Sequence, residues 1–481
     1  MKKNYFLAIA VAALMLAATV AQAADVSFSG QFRPRFISDS DSDNTTSDAN
    51  VFDTRVRLNA NANVNANTSV FLQFQAVGNW GVANADTSGT RVSQGGAGTQ
   101  ASDALNDVGF HQAYVTLKNF LGQSFDAKIG RQEVVLDGHR LFGHTGWTTG
   151  AETKDAIRLT HAAGNHTLNY IFIEGRNQDA VGNSNNGNER MHVLHANTQG
   201  VMGGDLSGYF VITADDSETL NSDDQNDFYT VGARQNGKAG GLDYRVEYYY
   251  QFGDGAVPGH DQDWRGGYSN TLLDGASIDR NAHMFGIRVG KTFTNVKWKP
   301  SLTLWYDSLS GTDDDDIAAN DYGGFDTLSD TGHKFYGFQD FYLNSENLGT
   351  GGYGLQDLAI KTKMSPADGW TLKADYHFFS TQTDTSDGDS DTMRTNEAAT
   401  VSTSTLDGPR DSSLGTELDL ILVHKYDANT KVVMGYSHYW TTATFGILNG
   451  AGTPSAANDD DSDWMFVMLR SEERRVGKEC R

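Results

Sequence analysis

Cysteine is almost missing from this chain: one residue, Cys480, in 481. With a single thiol there is no intrachain disulfide to form, which fits passage through an oxidising compartment. Proline is scarce too, with six residues, so few positions interrupt a backbone ladder. Beyond the first two dozen residues no uninterrupted apolar run reaches the roughly 18 residues that a spanning helix requires. Positive charge is in the minority. The 37 Lys and Arg face 61 Asp and Glu, a formal net charge of −24. A nucleic-acid partner needs the opposite balance and is excluded. Catalytic signatures are missing as well: there is no Gly-x-Ser-x-Gly elbow and no His-Glu-x-x-His pair. His192 and His195 stand three apart, which on a strand sends them to opposite faces and rules out a shared metal. His377 and His438 have no serine or cysteine partner at a readable spacing. The expectation is a protein that is not an enzyme and takes no metal or cofactor.

What is present is alternation. In Val26–Phe36, the residues Val26, Phe28, Phe32 and Phe36 share one face, and Ser27, Ser29, Gln31, Arg33 and Arg35 share the other. Period-two segments of this kind recur along the chain without a linker. They are joined alternately by tight turns and by long, glycine-rich, acidic loops. The turns Asn65–Thr68, Ala163–Asn165, Gly237–Gly240 and Asp427–Thr430 carry Gly or Asn where positive φ is needed. Acids gather in the loops, as in Asp313–Asp316 and Asp459–Asp461. Counting segments gives about 18 strands, an even number as single-chain outer-membrane barrels require. The expected fold class is all-β: a transmembrane antiparallel β-barrel with short periplasmic turns and long extracellular loops. Apolar sets then face acyl chains and polar sets face a wet lumen. Trp80, Phe252, Trp298, Trp370, Trp440 and Trp464 fall near strand ends, where interfacial girdles sit.

The termini carry their own signals. Lys2 and Lys3, the apolar stretch Phe6–Val20 and the small-x-small site Ala21-Gln22-Ala23 read as a secretory signal over residues 1–23. The barrel would occupy residues 24–469, in the bacterial outer membrane. The last stretch, Arg470–Arg481, has neither period two nor a helical stripe. It resembles the translation of a common sequencing-adapter oligonucleotide, so residues 470–481 are expected to be a non-native tail. The partners implied are the lipid bilayer, surface glycolipid and the outer-membrane assembly machinery. Loop carboxylates would bridge the glycolipid through divalent ions. The pattern carries no signal for oligomeric state.

Positions opposite the apolar sets are the candidate pore lining. The cations are Arg33, Arg35, Arg55, Arg57, Arg158, Arg234, Arg245, Arg288, Lys299 and Lys373; the anions are Asp243, Glu247, Asp307, Asp375, Glu417 and Asp419. Acids dominate the chain, yet cations dominate this set. The first hairpin places Arg33 and Arg35 at a height similar to Arg55 and Arg57. Like charges side by side on one face are destabilising. An inward acidic loop, partner carboxylates or a passing anion must compensate. These observations point to a passive channel that favours small anionic or sugar-acid solutes. A salt-bridge ladder that only stiffens the wall is the structural alternative, and a loop-based surface adhesin the functional one.

Four segments resemble the alginate export family of outer-membrane porins. They are Phe325–Asp340; Ile129–Val134 followed by Asp137–Arg140; Tyr244–Tyr249; and Leu414–Asp419. The resemblance spans nearly the whole chain and is most specific in Phe325–Asp340. It implies an 18-stranded barrel, in agreement with the independent count. It also implies a basic pore for an anionic sugar polymer, and hence the second functional reading, a dedicated polysaccharide exporter.

Overall fold

A strand that is apolar on one face and polar on the other is stable in lipid only when its ladder has no open edge. The computed structural model shows a ladder closed in this way. It describes residues 25–40, 49–80, 108–176, 189–215, 227–254, 279–312, 316, 321–343, 350, 352–383, 412–449 and 461–475. The first strands are β1 (Asp25–Ser40), β2 (Ala49–Asn63), β3 (Thr68–Asn79), β4 (Val108–Leu117), β5 (Asp126–Gln132) and β6 (Lys154–Ala163). They are followed by β7 (His166–Arg176), β8 (Glu189–Val201), β9 (Gly204–Asp215), β10 (Phe228–Ala239), β11 (Leu242–Asp254), β12 (Asp279–Thr292) and β13 (Ser301–Leu309). The remainder are β14 (Asp321–Tyr322), β15 (Leu355–Met364), β16 (Trp370–Ser380), β17 (Ser413–Lys425), β18 (Thr430–Thr441) and β19 (Ser462–Arg475). β14 is a two-residue piece pairing parallel with the start of β12 and is not one of the wall strands. The other eighteen pair antiparallel in sequence order, and β19 returns to β1 to close the barrel.

The wall is built as the alternation demands. Phe28, Phe32, Leu58, Phe210, Leu304, Leu358 and Val467 are exposed on the outside, where lipid would cover them. Trp80 and Trp440 are exposed near one rim, and Trp298 is exposed at the other. Two readings need correction. Lys299 does not line the interior: it lies in the turn after β12, at φ 46, and is exposed. Pro300 has no N–H for the ladder, so the strand starts at Ser301 rather than Lys297. Trp464 is no girdle residue. It points inward, 6% exposed, and packs against Trp147 and Phe466. Its neighbour Met465 takes the lipid side instead. β19 continues as regular strand to Arg475, and Gln31 of β1 donates to Glu472 at 2.8 Å.

One half of the interior is not wet. Ile171, Ile173, Val193, Val211, Met284, Leu309 and Ala359 sit on the same faces as polar lumen residues, yet they form one buried apolar cluster with Leu136, Leu141, Phe142, Phe325, Phe335 and Tyr342. The second group comes from two connections on the long-loop side, residues 133–153 and 323–343. Both fold into the barrel. This gives the chain a packed core enclosed by its own membrane wall.

Candidate functional site

The arginines of the first hairpin face each other as expected. Arg33 is directly opposite Arg55 across β1 and β2, and Arg35 is opposite Asp53. All four are at most 9% exposed. Arg35 pairs with Asp53. Arg57 donates to Gln75 at 2.7 Å and approaches Glu133 at 3.5 Å. Arg33 and Arg55 are compensated differently: backbone carbonyls of the 133–153 loop accept from them. Arg33 reaches the carbonyls of Gly146 and Trp147, both at 3.0 Å, and Arg55 those of Gly146 and Thr148, both at 3.2 Å. Arg35 adds a bond to the Trp147 carbonyl at 2.9 Å, and Gln75 one to Gly150 at 2.6 Å. Carbonyl dipoles thus do what an acidic loop would have done.

The second cluster lies across the interior. Arg140, at the inner end of the same loop, is 2% exposed. It binds Asp307 of β13, Glu247 of β11 at 3.4 Å and the Tyr336 hydroxyl of the other loop. Around these carboxylates stand Arg234, Arg245 and Arg288, at 3.8, 3.3 and 3.7 Å from Glu247. Lys334 donates to the Gly138 carbonyl at 3.0 Å. Burial first, and then Arg245, Arg140 and Arg234, push its amine down to about 8. Arg140, Lys334 and Tyr336 were missing from the sequence-derived set. Alternation identifies strand residues, and nothing in it marks a loop that folds inward.

The 323–343 loop is held by wall side chains that imitate backbone or terminate it. Gln251 of β11 brackets Asp326, accepting from its N–H at 2.9 Å and donating to its carbonyl at 2.8 Å. Glu417 of β17 accepts the backbone N–H groups of Phe338 at 2.6 Å and Gln339 at 3.0 Å, and the Ser437 hydroxyl at 2.8 Å. The Tyr342 and Tyr439 hydroxyls bond at 2.6 Å. The two loops also join each other. Gly143 N–H donates to Ser329, and Ser329 N–H to Leu141, at 2.7 and 3.0 Å. Trp147 stacks on His333 with centroids 4.3 Å apart.

The remaining expected residues scatter. Asp419 is buried beside His377, 3.8 Å away. Asp375 pairs with Lys361 at 3.1 Å, and Lys373 is half-buried on the same face of β16. Asp243 pairs with exposed Lys238 near the short-turn end. Arg158 lies below the loops, opposite Lys128. His195 is interior and His192 exterior, as their spacing requires. The candidate carboxylates Glu247, Asp307 and Glu417 therefore anchor loops, each at most 1% exposed.

Asp137 ties the 133–153 loop to the wall through His195 at 3.2 Å and the Tyr209 hydroxyl. Burial pushes its carboxyl up, but the hydrogen bonds from His195 and Tyr209 outweigh this and hold it at about 2. A carboxyl held below its ordinary 3.8 stabilises docking above pH 4, and that contribution is lost as pH falls through 2. The difference corresponds to about 2 kcal/mol. Current noise in planar bilayers should rise between pH 4 and pH 2. Asp137→Asn should be noisy already at pH 5 and lose most of that rise.

A closed, even-stranded antiparallel barrel with its apolar face turned outward and loops folded within is an outer-membrane barrel of the porin class. A profile for alginate export proteins matches residues 24–456, and the chain belongs to that family. Solved structures with a similar fold include Acinetobacter baumannii OccAB4, at TM-score 0.55 and 10% identity, covering 94% of this chain and 99% of that one. Pseudomonas aeruginosa OccK9 (OpdG) has TM-score 0.55 and 12% identity, covering 93% and 98%. A. baumannii OccAB1 has TM-score 0.54 and 12% identity, covering 94% and 97%. No curated protein matches the chain.

Proposed function

We propose that this chain is a passive diffusion channel of the outer membrane whose basic interior favours small anionic or sugar-acid solutes. One observation carries the reading. Two buried carboxylates, Glu247 and Asp307, face four guanidinium groups, Arg140, Arg234, Arg245 and Arg288, so positive charge is in excess at this cluster. Desolvated donors of this kind bind carboxylate or phosphate oxygens. Selection then follows from charge and from the space the two loops leave, with no chemistry on the solute. The loops are fixed to the wall at several points, which suits small solutes better than a polymer, so export of an alginate-like chain is the second reading. Residues 1–23 lie outside the described residues, and we read them as a signal peptide directing the chain to the outer-membrane assembly machinery. We also read 470–481 as foreign to the natural sequence.

Reversal potentials in a salt gradient test the channel reading. The wild type should pass anions more readily than cations, and in liposome swelling it should admit glucuronate faster than glucose. Cation preference would overturn it.

A further inference from the structure

We propose that Glu417 and Asp419 share a single proton and form a pH-sensitive latch, which holds the 323–343 loop inside the barrel while the proton is present and releases it as pH rises. The inference rests on the channel reading, because the loop it controls narrows the path of solutes.

The two carboxyls are neighbours by strand geometry. They stand two apart on β17, on one face, and are 1% and 2% exposed. One oxygen of Glu417 is fully engaged: Oε1 accepts from the Phe338 and Gln339 N–H groups and from the Ser437 hydroxyl. The other, Oε2, is buried with no donor among the described residues, and so is Asp419 Oδ1. Yet the two carboxyl groups lie in hydrogen-bond contact with each other. Two carboxylates have no hydrogen to place between them, and like charges so close and so dry cannot both persist. One proton satisfies both orphaned oxygens at once.

The surrounding groups do not replace it. Across β16, Asp419 is opposite Asp375 and Glu417 is opposite His377. Asp375 pairs with Lys361 of β15 at 3.1 Å. The same ammonium donates to His377 Nε2 at 3.0 Å, while His377 Nδ1 donates to Asp357 at 2.9 Å. The imidazole is therefore neutral, and the nitrogen 3.8 Å from Asp419 presents a lone pair. Asp307, opposite Asp357 on β13, is held by Arg140. On β18, Tyr439 is opposite Glu417, and its hydroxyl donates to the Leu414 carbonyl at 2.8 Å. Ser437, opposite Asp419, has already given its hydrogen to Glu417. From the loop, Asp340 pairs with His333 at 2.8 Å, and the Tyr336 hydroxyl accepts from Arg140. Among the described residues Lys361 is thus the one Lys or Arg within salt-bridge distance of four carboxyls, Asp357, Asp375, Glu417 and Asp419. The cluster around Glu247 has the opposite imbalance.

Loss of the proton acts on the loop because the carboxylate has little room. Two ionised groups repel, and Glu417 must shift away from Asp419. On the loop side Gly337 packs so closely that a Cβ there would stand 2.1 Å from Oε2 and 2.7 Å from Oε1. The carboxylate gains space only if the loop gives way at Phe338 and Gln339. A proton held in the docked form stabilises docking at low pH, and that contribution is lost as pH rises. The sense is opposite to that of Asp137, whose tie fails in acid.

Infrared difference spectra and single-channel currents test the latch in the intact protein. Between pH 5 and pH 9 the wild type should lose a protonated-carboxyl band that is missing from both Glu417→Gln and Asp419→Asn. Over the same interval its conductance should rise about two-fold, with open-channel noise, and fall again on return. In each amide variant an N–H stands where the proton stood, whatever the pH. Both should stay quiet at pH 9. Lys334, with its amine at about 8, is intact in both variants, so it cannot account for a difference between them and the wild type. A wild-type current that stays quiet to pH 9, or amide variants that open along with it, would overturn the latch. So would spectra in which neither variant removes a band. Cation preference in a salt gradient would overturn the channel reading and leave the band, and with it the shared proton, standing.

Discussion

Replacing Glu417 with alanine will free the inner end of the 323–343 loop and raise single-channel conductance. The carboxylate is 1% exposed and accepts the N–H groups of Phe338 and Gln339 at 2.6 and 3.0 Å. Its removal leaves two backbone donors with no acceptor in a site water barely reaches, at about 1–3 kcal/mol each. The contact is also shaped for this one acceptor. Gly337 sits at φ +84, and a Cβ there would stand 2.1 Å from Glu417 Oε2. The loop keeps its holds at Gln251 and Tyr439, so it will sway rather than leave. Conductance should rise by about two-fold, with open-channel noise, as an obstruction in the conduction path becomes intermittent. Glu417→Gln is the control. Its amide oxygen still accepts both N–H groups, and its current should match the wild type. Strand pairing does not pass through this side chain's carboxylate, so both variants should show the wild-type heat-modifiable migration in gels. A quiet, wild-type current from the alanine variant would show that the loop does not depend on Glu417.

The sequence made the wall legible and hid the contents. Period-two alternation places Arg33, Arg55, Arg234 and Glu247 on the inner face because strand geometry alone fixes which way a side chain points. It also separates His192 from His195. It could not foresee Ile171, Ile173 and Val193 as interior residues, since an apolar side chain on a spanning strand is read as lipid-facing. Their reason is tertiary: Leu141 and Phe142 arrive from another part of the chain to cover them. The same blindness explains Trp464, which pattern placed in a girdle and packing drew inward to Trp147. Nor does alternation tell what a lumen carboxylate faces. Glu247, Asp307 and Glu417 face loop groups. The four segments that carry the family resemblance meet at these anchors: Arg140 from one, Glu247 from a second, Tyr336 and Phe338 from a third, and Glu417 from the fourth. No single segment could display this docking.

Arg140→Met will separate the two roles that charge plays inside this barrel. The guanidinium bridges Glu247 and Asp307, touches the Tyr336 hydroxyl and lies 3.8 Å over the Phe335 ring. Removing one partner of a buried ionic network costs about 3–5 kcal/mol, because the carboxylates left behind are desolvated and lose their cationic donor. Both loops should loosen at once, since Arg140 comes from one and Tyr336 from the other. Selectivity should shift in the same variant. Glu247 and Asp307 will turn to Arg234, Arg245 and Arg288, already within 3.8 Å, and so withdraw those donors from passing anions. The reversal potential should move toward zero in a salt gradient, and open-channel noise should increase. Arg140→Lys distinguishes the causes. It restores the positive charge, so much of the anion preference should return. It cannot restore the noise-free current, because an ammonium is a point donor and cannot span two carboxylates and a hydroxyl as the planar fork does. If the lysine variant recovers both properties, net charge alone holds the loops. If the methionine variant loses neither, Arg140 ties nothing together, and the interior network is a passenger of the fold.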